Sequence, residues 1–217
     1  MSDWLKFGLC RAAILCGVTA GAHVASAHPH VWVTLKSDII FAADGSISAV
    51  RHAWTFDDMY SAFATQGVAH KQPGVFTREE LAPLAQTNMD SLKEYKYFTY
   101  AKADQKKVPF GDPVDYWNEY DKGIVTLHFT LPFKTPIKPH LLQIDVYDPT
   151  IFVDFSFAKK YTANLIGAPA DCKLSSEQPR ALTAADSQRL GETFFNSLSS
   201  GSGWAAQYAN KIVVQCP

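Results

Sequence analysis

The sequence predicts an α+β protein that is mainly antiparallel β and sandwich-like, with a helical hairpin insertion and a C-terminal helix. Three observations lead to this prediction. Short segments of alternating apolar and polar residues make up most of the chain, Gly- and Pro-containing turns separate them, and helical periodicity interrupts them after residue 56. We expect residues 28–217 to form one domain, with the insertion at about 57–93.

Residues 1–27 have the features of a secretory signal peptide. Lys6 and Arg11 provide a positively charged start, a short apolar segment follows, and Ala-Ser-Ala directly before His28 matches a cleavage site. The apolar segment is about half of the roughly 20 residues that a membrane-spanning helix needs. We therefore expect an exported chain that begins at His28, has no stable membrane insertion and resides in an oxidising compartment.

The first two predicted strands form a hairpin. Residues 31–41 alternate between apolar and polar positions, the turn Ala-Asp-Gly-Ser follows, and residues 47–56 continue as a second strand. On the second strand His52 shares a face with Val50 and Trp54. This position favours a hydrogen-bonded core histidine over a metal ligand.

Two helices are predicted after the hairpin. Asp57 or Asp58 can accept hydrogen bonds from the free N–H groups in the first turn of one helix. The second helix is predicted over residues 77–92, where Thr77 and Glu80 form the capping-box pattern.

Residues 69–80, between these helices, have the frame of an EF-hand calcium loop, with Gly74 at the sixth position and Glu80 at the twelfth. The first, third and fifth positions of such loops carry oxygen ligands, and here they are Ala69, Lys71 and Pro73. A lysine repels calcium. The loop is therefore predicted to keep the EF-hand shape and to lack the calcium site.

The rest of the chain is rich in predicted strands, with Gly- and Pro-containing connections between them. These strands are expected at residues 95–101, 114–120, 124–131, 141–147, 151–157 and 161–165. A helix is expected at about residues 183–198, and residues 212–214 are expected to close the chain as a short strand.

Charge and motif content argue against several classes of function. The chain has 20 Lys and Arg residues against 21 Asp and Glu residues, a net charge of −1, which argues against nucleic acid or anionic lipid as a partner. No GxSxG, HExxH, GxGxxG or P-loop motif occurs. No catalytic residue is therefore predicted, and a non-enzymatic function is favoured.

The cysteines predict one disulfide. Cys10 and Cys16 lie within the predicted signal peptide, which leaves Cys172 and Cys216 in the exported chain. Two cysteines in an exported chain most often form a disulfide bond, and this one would close a loop of about 45 residues.

The predicted amino end carries the principal metal-site hypothesis. An amino-terminal His28 offers its α-amine and its imidazole, and His30 adds a third nitrogen from the same strand face. Zinc, nickel and copper all accept imidazole ligands. Pro29 has no amide hydrogen and so excludes the square-planar motif that uses backbone amides. The alternative is that both histidines are solvated polar residues ahead of a strand.

Four further residues are weaker ligand candidates: Asp57, His52, His128 and Asp148. Asp57 and Asp148 lie beside strand ends, where a carboxylate can join a site, although helix capping and a turn explain them equally well. His128 falls on the less apolar face of its predicted strand.

Several distinctive segments occur in a fixed order along the chain: HPHVWV, RHAWTFDDMYSAF, REELAPLAQTNMDSLKEYKYFTY, LHFTLPF, VYDPTIFVDF and ANKIVVQCP. Together they resemble a bacterial family, the domain-of-unknown-function family one thousand and seven, often labelled a periplasmic component of an ABC-type transport system. The resemblance aligns His28 and His30 with the initial His-Pro-His of the family, Asp57 with its Trp-x-Phe-Asp, and Asp148 with its Tyr-Asp-Pro.

The resemblance implies a Gram-negative periplasmic protein associated with a metal transporter in the inner membrane. The favoured function is a transition-metal-binding carrier or accessory component of a nickel, cobalt or zinc transport system. Two alternatives are kept: a copper enzyme that uses an N-terminal histidine brace, and a metal-free module that binds an envelope protein.

Overall fold

Two β-sheets enclose a common hydrophobic core in the computed structural model, which describes residues 30–179 and 205–217. The helix predicted at about 183–198 lies outside these residues. The first sheet contains β1 (Val31–Phe41), β2 (Ile47–Phe56), β5 (Val114–Asp121), β6 (Ile124–Ile137), β8 (Val153–Phe157) and β9 (Ala163–Ile166). The second contains β3 (Thr99–Ala103), β4 (Lys106–Val108), β7 (Leu141–Val146), β10 (Lys173–Glu177) and β11 (Asn210–Gln215).

The predicted hairpin of β1 and β2 forms the middle of the first sheet. The two strands pair antiparallel, with Leu35 opposite Trp54. Both side chains are almost completely buried, whereas Lys36, the next residue on β1, is exposed. This alternation is the pattern expected for a sheet with one face on the core and one face in water. Each such fully buried side chain stabilises the fold by about 1.5–3 kcal/mol.

One edge of the first sheet departs from the antiparallel prediction. The strand order is β5-β6-β2-β1-β8, and both β8 and β9 pair with β1 in parallel. A parallel partner requires a crossover, and here the chain passes through the whole second-sheet strand β7 before β8 returns to β1. The fold is therefore a mostly antiparallel α+β sandwich with a parallel edge.

The second sheet is entirely antiparallel, in the order β10-β11-β7-β3-β4. The Cys172–Cys216 disulfide is confirmed, with an S–S distance of 2.03 Å. It lies directly beside the pair formed by Lys173 of β10 and Gln215 of β11. The bond therefore covalently joins the end of the last strand to the edge strand of this sheet.

Two short helices, α1 (Asp58–Thr65) and α2 (Ala82–Lys93), cover the β5 side of the first sheet. Asp57 is the N-cap of α1, because its Oδ1 accepts a hydrogen bond from the Tyr60 backbone N–H at 2.8 Å. The buried Ser61 ties α1 to the sheet, since its hydroxyl accepts a hydrogen bond from the Val125 N–H of β6.

The structure differs from the predictions at three strands, β3, β4 and β10. The strand predicted from residue 95 begins only at Thr99, because residues 96–98 form a 3-10 turn in which Tyr97 has φ of 53°. The short strands β4 and β10 were not predicted, since their sequences KKV and KLSSE are largely polar and exposed.

Within the described ranges, no helix is both long and apolar enough to cross a membrane.

Candidate functional site

His30 lies directly before β1, at the open end of the first sheet. Its backbone N–H donates a hydrogen bond to the Phe152 carbonyl at 2.9 Å, and its ring is 4.9 Å from the Phe152 ring between centroids. The His30 side chain is exposed. These contacts hold the residue in place as the first described position of the chain; His28 and Pro29 lie outside the described residues.

Two carboxylates flank Trp32 on the face of the sheet that also carries His30. On one side, Asp57 continues the ladder of β2, because its N–H donates to the Trp32 carbonyl at 3.0 Å and its Oδ2 accepts from the Trp32 N–H at 2.8 Å. On the other side, Asp154 of β8 is paired in register with Trp32. The structure therefore brings His30, Asp57 and Asp154 to the same end of one sheet face.

Asp154 was not among the residues singled out from the sequence. It is half-buried, and burial raises the pKa of its carboxyl above the usual value. No described residue gives it an ion pair. A lone acidic residue in the otherwise apolar and hydroxyl-bearing strand VDFSF was the signal that could have identified it.

Asp148 has a structural role in the turn that connects β7 to β8. It is buried, and its two carboxylate oxygens accept four hydrogen bonds, from the Thr150 N–H and hydroxyl and from the N–H groups of Phe152 and Val153. A carboxylate saturated in this way is already stabilised by backbone dipoles. Asp148 thereby positions Phe152, the residue that anchors His30.

His52 lies in the core, as its place on the apolar face of β2 predicted. The Thr99 hydroxyl donates to the Tyr97 carbonyl at 2.8 Å, so it must accept from the His52 Nε2–H at 3.3 Å. Nδ1 is then the acceptor for the Ser37 hydroxyl at 2.9 Å. Complete burial lowers the pKa of His52 to about 3, so the ring is neutral and fully hydrogen-bonded at physiological pH.

His128 is on the outward face of β6, as predicted. Its Nε2 lies 3.0 Å from the Glu119 carboxylate, and its ring stacks on Trp117 with centroids 4.1 Å apart. Partial burial lowers the pKa of His128, although Glu119 opposes the shift. His128 pairs with Ala53, four residues before Asp57, and is therefore about 13 Å along the sheet from the Asp57 level.

The loop predicted to resemble an EF-hand is closed by its own glutamate. The Glu80 Oε1 accepts from the Lys71 N–H, and Oε2 accepts from the Thr77 N–H, both at 2.9 Å. These hydrogen bonds, led by the one from Thr77, lower the pKa of Glu80. The Glu80 N–H in turn donates to the Thr77 hydroxyl at 3.2 Å, so the reciprocal hydrogen bonds of the predicted capping box are present. The predicted helix start at Thr77 is wrong, because α2 begins only at Ala82 and its N-cap is Leu81.

No group of three or more His, Cys, Asp or Glu side chains within residues 30–179 and 205–217 forms a preassembled metal site. His52 and His128 lie in other hydrogen-bonded environments, and the carboxylate of Asp148 is engaged in the turn that positions Phe152 against His30. The remaining candidates lie at the end of the first sheet where β1 begins. These residues, His30, Asp57 and Asp154, are called here the amino-terminal end site.

Comparison with known proteins places the chain in a family. The family described as protein of unknown function (DUF1007) matches residues 13–216, almost the whole chain. The chain is also 21% identical over 196 residues to an uncharacterized protein of Haemophilus influenzae, covering 88% of this chain and 91% of that protein. With a match over nearly its full length, the chain belongs to the DUF1007 family.

Proposed function

We propose that this is a periplasmic transition-metal-binding protein that serves as a carrier or accessory component of a nickel, cobalt or zinc transport system. The metal ion is its cargo. His28 and His30 bind the ion through nitrogen, and Asp57 contributes an oxygen or neutralises the charge of the complex.

The observation that carries the proposal is that the strand pairing brings His30, Asp57 and Asp154 to the same end of one sheet face. Asp57 and Asp154 flank Trp32, and His30 precedes Trp32 by two residues on the same face. A nitrogen ligand next to oxygen ligands suits the borderline metals zinc, nickel and copper. His28 precedes His30 by only two residues in the sequence, so the two imidazoles are close enough along the chain to share an ion.

Asp57 retains capacity for an ion although it also caps α1. Each of its carboxylate oxygens accepts one hydrogen bond, from Tyr60 and from Trp32, and each oxygen has a second lone pair. The same hydrogen bonds fix the carboxylate, which is the role that outer partners have in metal sites.

Asp154 supports a cation at this end by a different argument. Its pKa is raised because burial disfavours the charged carboxylate. A bound cation within a few ångström favours the charged form and so reverses this penalty. A bound cation would therefore compensate the half-buried carboxyl of Asp154.

The test is a set of calorimetric titrations with zinc, nickel and copper. The protein that begins at His28 is compared with the same protein extended by one residue and with His30→Ala; His70→Ala, an exposed histidine in the helical insertion, is the matched control. We expect the extension and His30→Ala each to weaken binding at least about tenfold, with the control unchanged. Equal affinity across the series contradicts the proposed site.

A second experiment tests the proposed partner. The processed protein is used to capture a solubilised nickel, cobalt or zinc transporter from the inner membrane of its host, with and without a chelator. Capture that depends on metal supports a carrier or accessory role, whereas capture that is insensitive to chelation favours a metal-free interaction module.

A further inference from the structure

A groove of about 270 Å³ crosses the outward face of the first sheet, at a different place from the amino-terminal end site. Its floor is Ala53, which lies between Lys36 of β1 and His128 of β6 in the pairing registers. Tyr161, in the segment between β8 and β9, is part of the lining. Because Ala53 is small and its neighbours Lys36 and His128 have long side chains, a depression forms between those side chains.

The hydrogen-bonding groups of the groove are mainly donors. Asp38, its acidic residue, is already satisfied, because Arg51 donates to Oδ2 at 2.8 and 3.2 Å and Asn164 donates to Oδ1 at 2.9 Å. Lys36 forms no ion pair with any described residue and is exposed. Arg51 keeps further N–H groups beyond those used by Asp38.

The remaining charged groups near the groove do not reverse this excess of hydrogen-bond donors. His128 is neutral near pH 7, and the Glu119 carboxylate beside it accepts the Nε2–H. Arg78 lies over the Trp117 ring at 4.6 Å and adds a further positive charge close to His128. The groove therefore presents two cationic side chains, one without a carboxylate partner, and its complement is an anion that accepts hydrogen bonds.

The spacing of the two cations favours an anion with two acidic ends. Lys36 pairs with Ala53, and Arg51 lies two residues from Ala53 along β2. Lys36 and Arg51 are therefore diagonal cross-strand neighbours, whose backbone positions are about 7–8 Å apart. The volume is slightly below the range of about 300–1,000 Å³ that is typical of ligand pockets, which fits a small molecule. We propose that this groove binds a small dicarboxylate, with Lys36 and Arg51 each engaging one carboxylate.

The experiment uses the processed, chelator-treated and dialysed protein, with succinate and inorganic phosphate as separate probes followed by backbone amide chemical shifts. Lys36→Ala removes the unpaired cation, and Ala53→Leu fills the floor without changing charge. Lys107→Ala, an exposed lysine on β4 of the other sheet, is the matched control. Circular dichroism verifies the fold of each variant.

We expect succinate to shift amides around Ala53, and Lys36→Ala and Ala53→Leu each to weaken its binding at least tenfold, while Lys107→Ala and His30→Ala bind as the parent does. The unchanged behaviour of His30→Ala separates this groove from the proposed metal site. The assignment is overturned if succinate gives no saturable shift, or if only phosphate binds. It is also overturned if Lys107→Ala weakens succinate binding as much as Lys36→Ala does.

Discussion

The Trp32 backbone N–H donates a hydrogen bond to the Asp57 Oδ2 at 2.8 Å, while the Asp57 Oδ1 caps helix α1 through Tyr60. One carboxylate therefore joins the start of β1 to the start of the helical insertion. Asp57 is also the partner of Trp32, which follows His30 by two residues. A change at Asp57 is expected to affect both stability and metal binding, and these two effects are separable.

Asp57→Asn and Asp57→Ala separate the two roles. Asn remains a good N-cap but provides only one acceptor oxygen, so we expect a loss of about 1 kcal/mol in the free energy of unfolding. Ala removes both hydrogen bonds, and we expect a loss of about 2 kcal/mol. Both variants lose the charge and should weaken metal binding similarly, as measured by denaturant unfolding and calorimetry.

Asp58→Asn is the control for these variants, because Asp58 is adjacent, equally charged and exposed in the first turn of α1. It should bind metal as the parent does. If Asp58→Asn weakens binding as much as Asp57→Asn, a general loss of negative charge explains the effect and the assignment of Asp57 is wrong.

The buried His52 predicts a specific pH dependence of stability. Its pKa is about 3 in the folded protein against about 6.5 when unfolded, so the unfolded chain takes up a proton that the folded protein does not. Stability from this residue is complete above pH 6.5 and falls between pH 6.5 and 3, by up to about 1.4 kcal/mol per pH unit. Unfolding midpoints in urea across that range measure the slope.

His52→Gln is expected to reduce this slope, because glutamine fills the site with polar atoms and does not titrate. It should also destabilise the protein at pH 7, because the hydrogen bonds with Ser37 and Thr99 change. His140→Gln, in an exposed loop, should leave the slope unchanged. A slope that persists in His52→Gln means that another group controls acid unfolding.

The Cys172–Cys216 disulfide should contribute about 3–4 kcal/mol, since it closes a loop with a sequence separation of 44 residues. Unfolding in the presence and absence of reductant measures this contribution, and the double variant Cys172→Ser, Cys216→Ser should reproduce the reduced value. An unchanged unfolding midpoint after verified reduction would show that the pairing of β10 with β11 suffices without the covalent bond.

Calcium should not stabilise the loop at residues 69–80. Glu80, which occupies the position of the bidentate EF-hand ligand, is engaged by the N–H groups of Lys71 and Thr77. We expect the melting temperature to be the same with millimolar calcium, magnesium or chelator. A rise that is specific to calcium would show that the loop rearranges to release Glu80.

The sequence predicted elements best where one face of a strand is buried. The alternation in β1 and β2 correctly identified which side of the hairpin faces the core, and His52 was correctly placed on that side. The capping signal at Asp57 was equally informative, because it depends on a side-chain hydrogen bond within a few residues. The signal at Thr77 predicted the local hydrogen bonds with Glu80 but not the start of α2 at Ala82.

The pairing of strands that are distant in the sequence could not be predicted in the same way. Nothing local in the sequence of β8 specifies that it runs parallel to β1, and the resulting position of Asp154 beside Trp32 follows only from that pairing. The groove over Ala53 likewise needs three strands to be aligned, since Lys36, Ala53 and His128 come from β1, β2 and β6. Positive φ at Tyr97 explains the late start of β3.

The most direct measurement of the proposed metal site is an anomalous difference map from crystals of the processed protein loaded with zinc. We predict one strong peak at about 2.0–2.1 Å from nitrogen atoms of His28 and His30, at the end of the sheet that carries Asp57. A peak bound only by other residues, or no peak at this end in crystals whose amino terminus is confirmed as His28, contradicts the account.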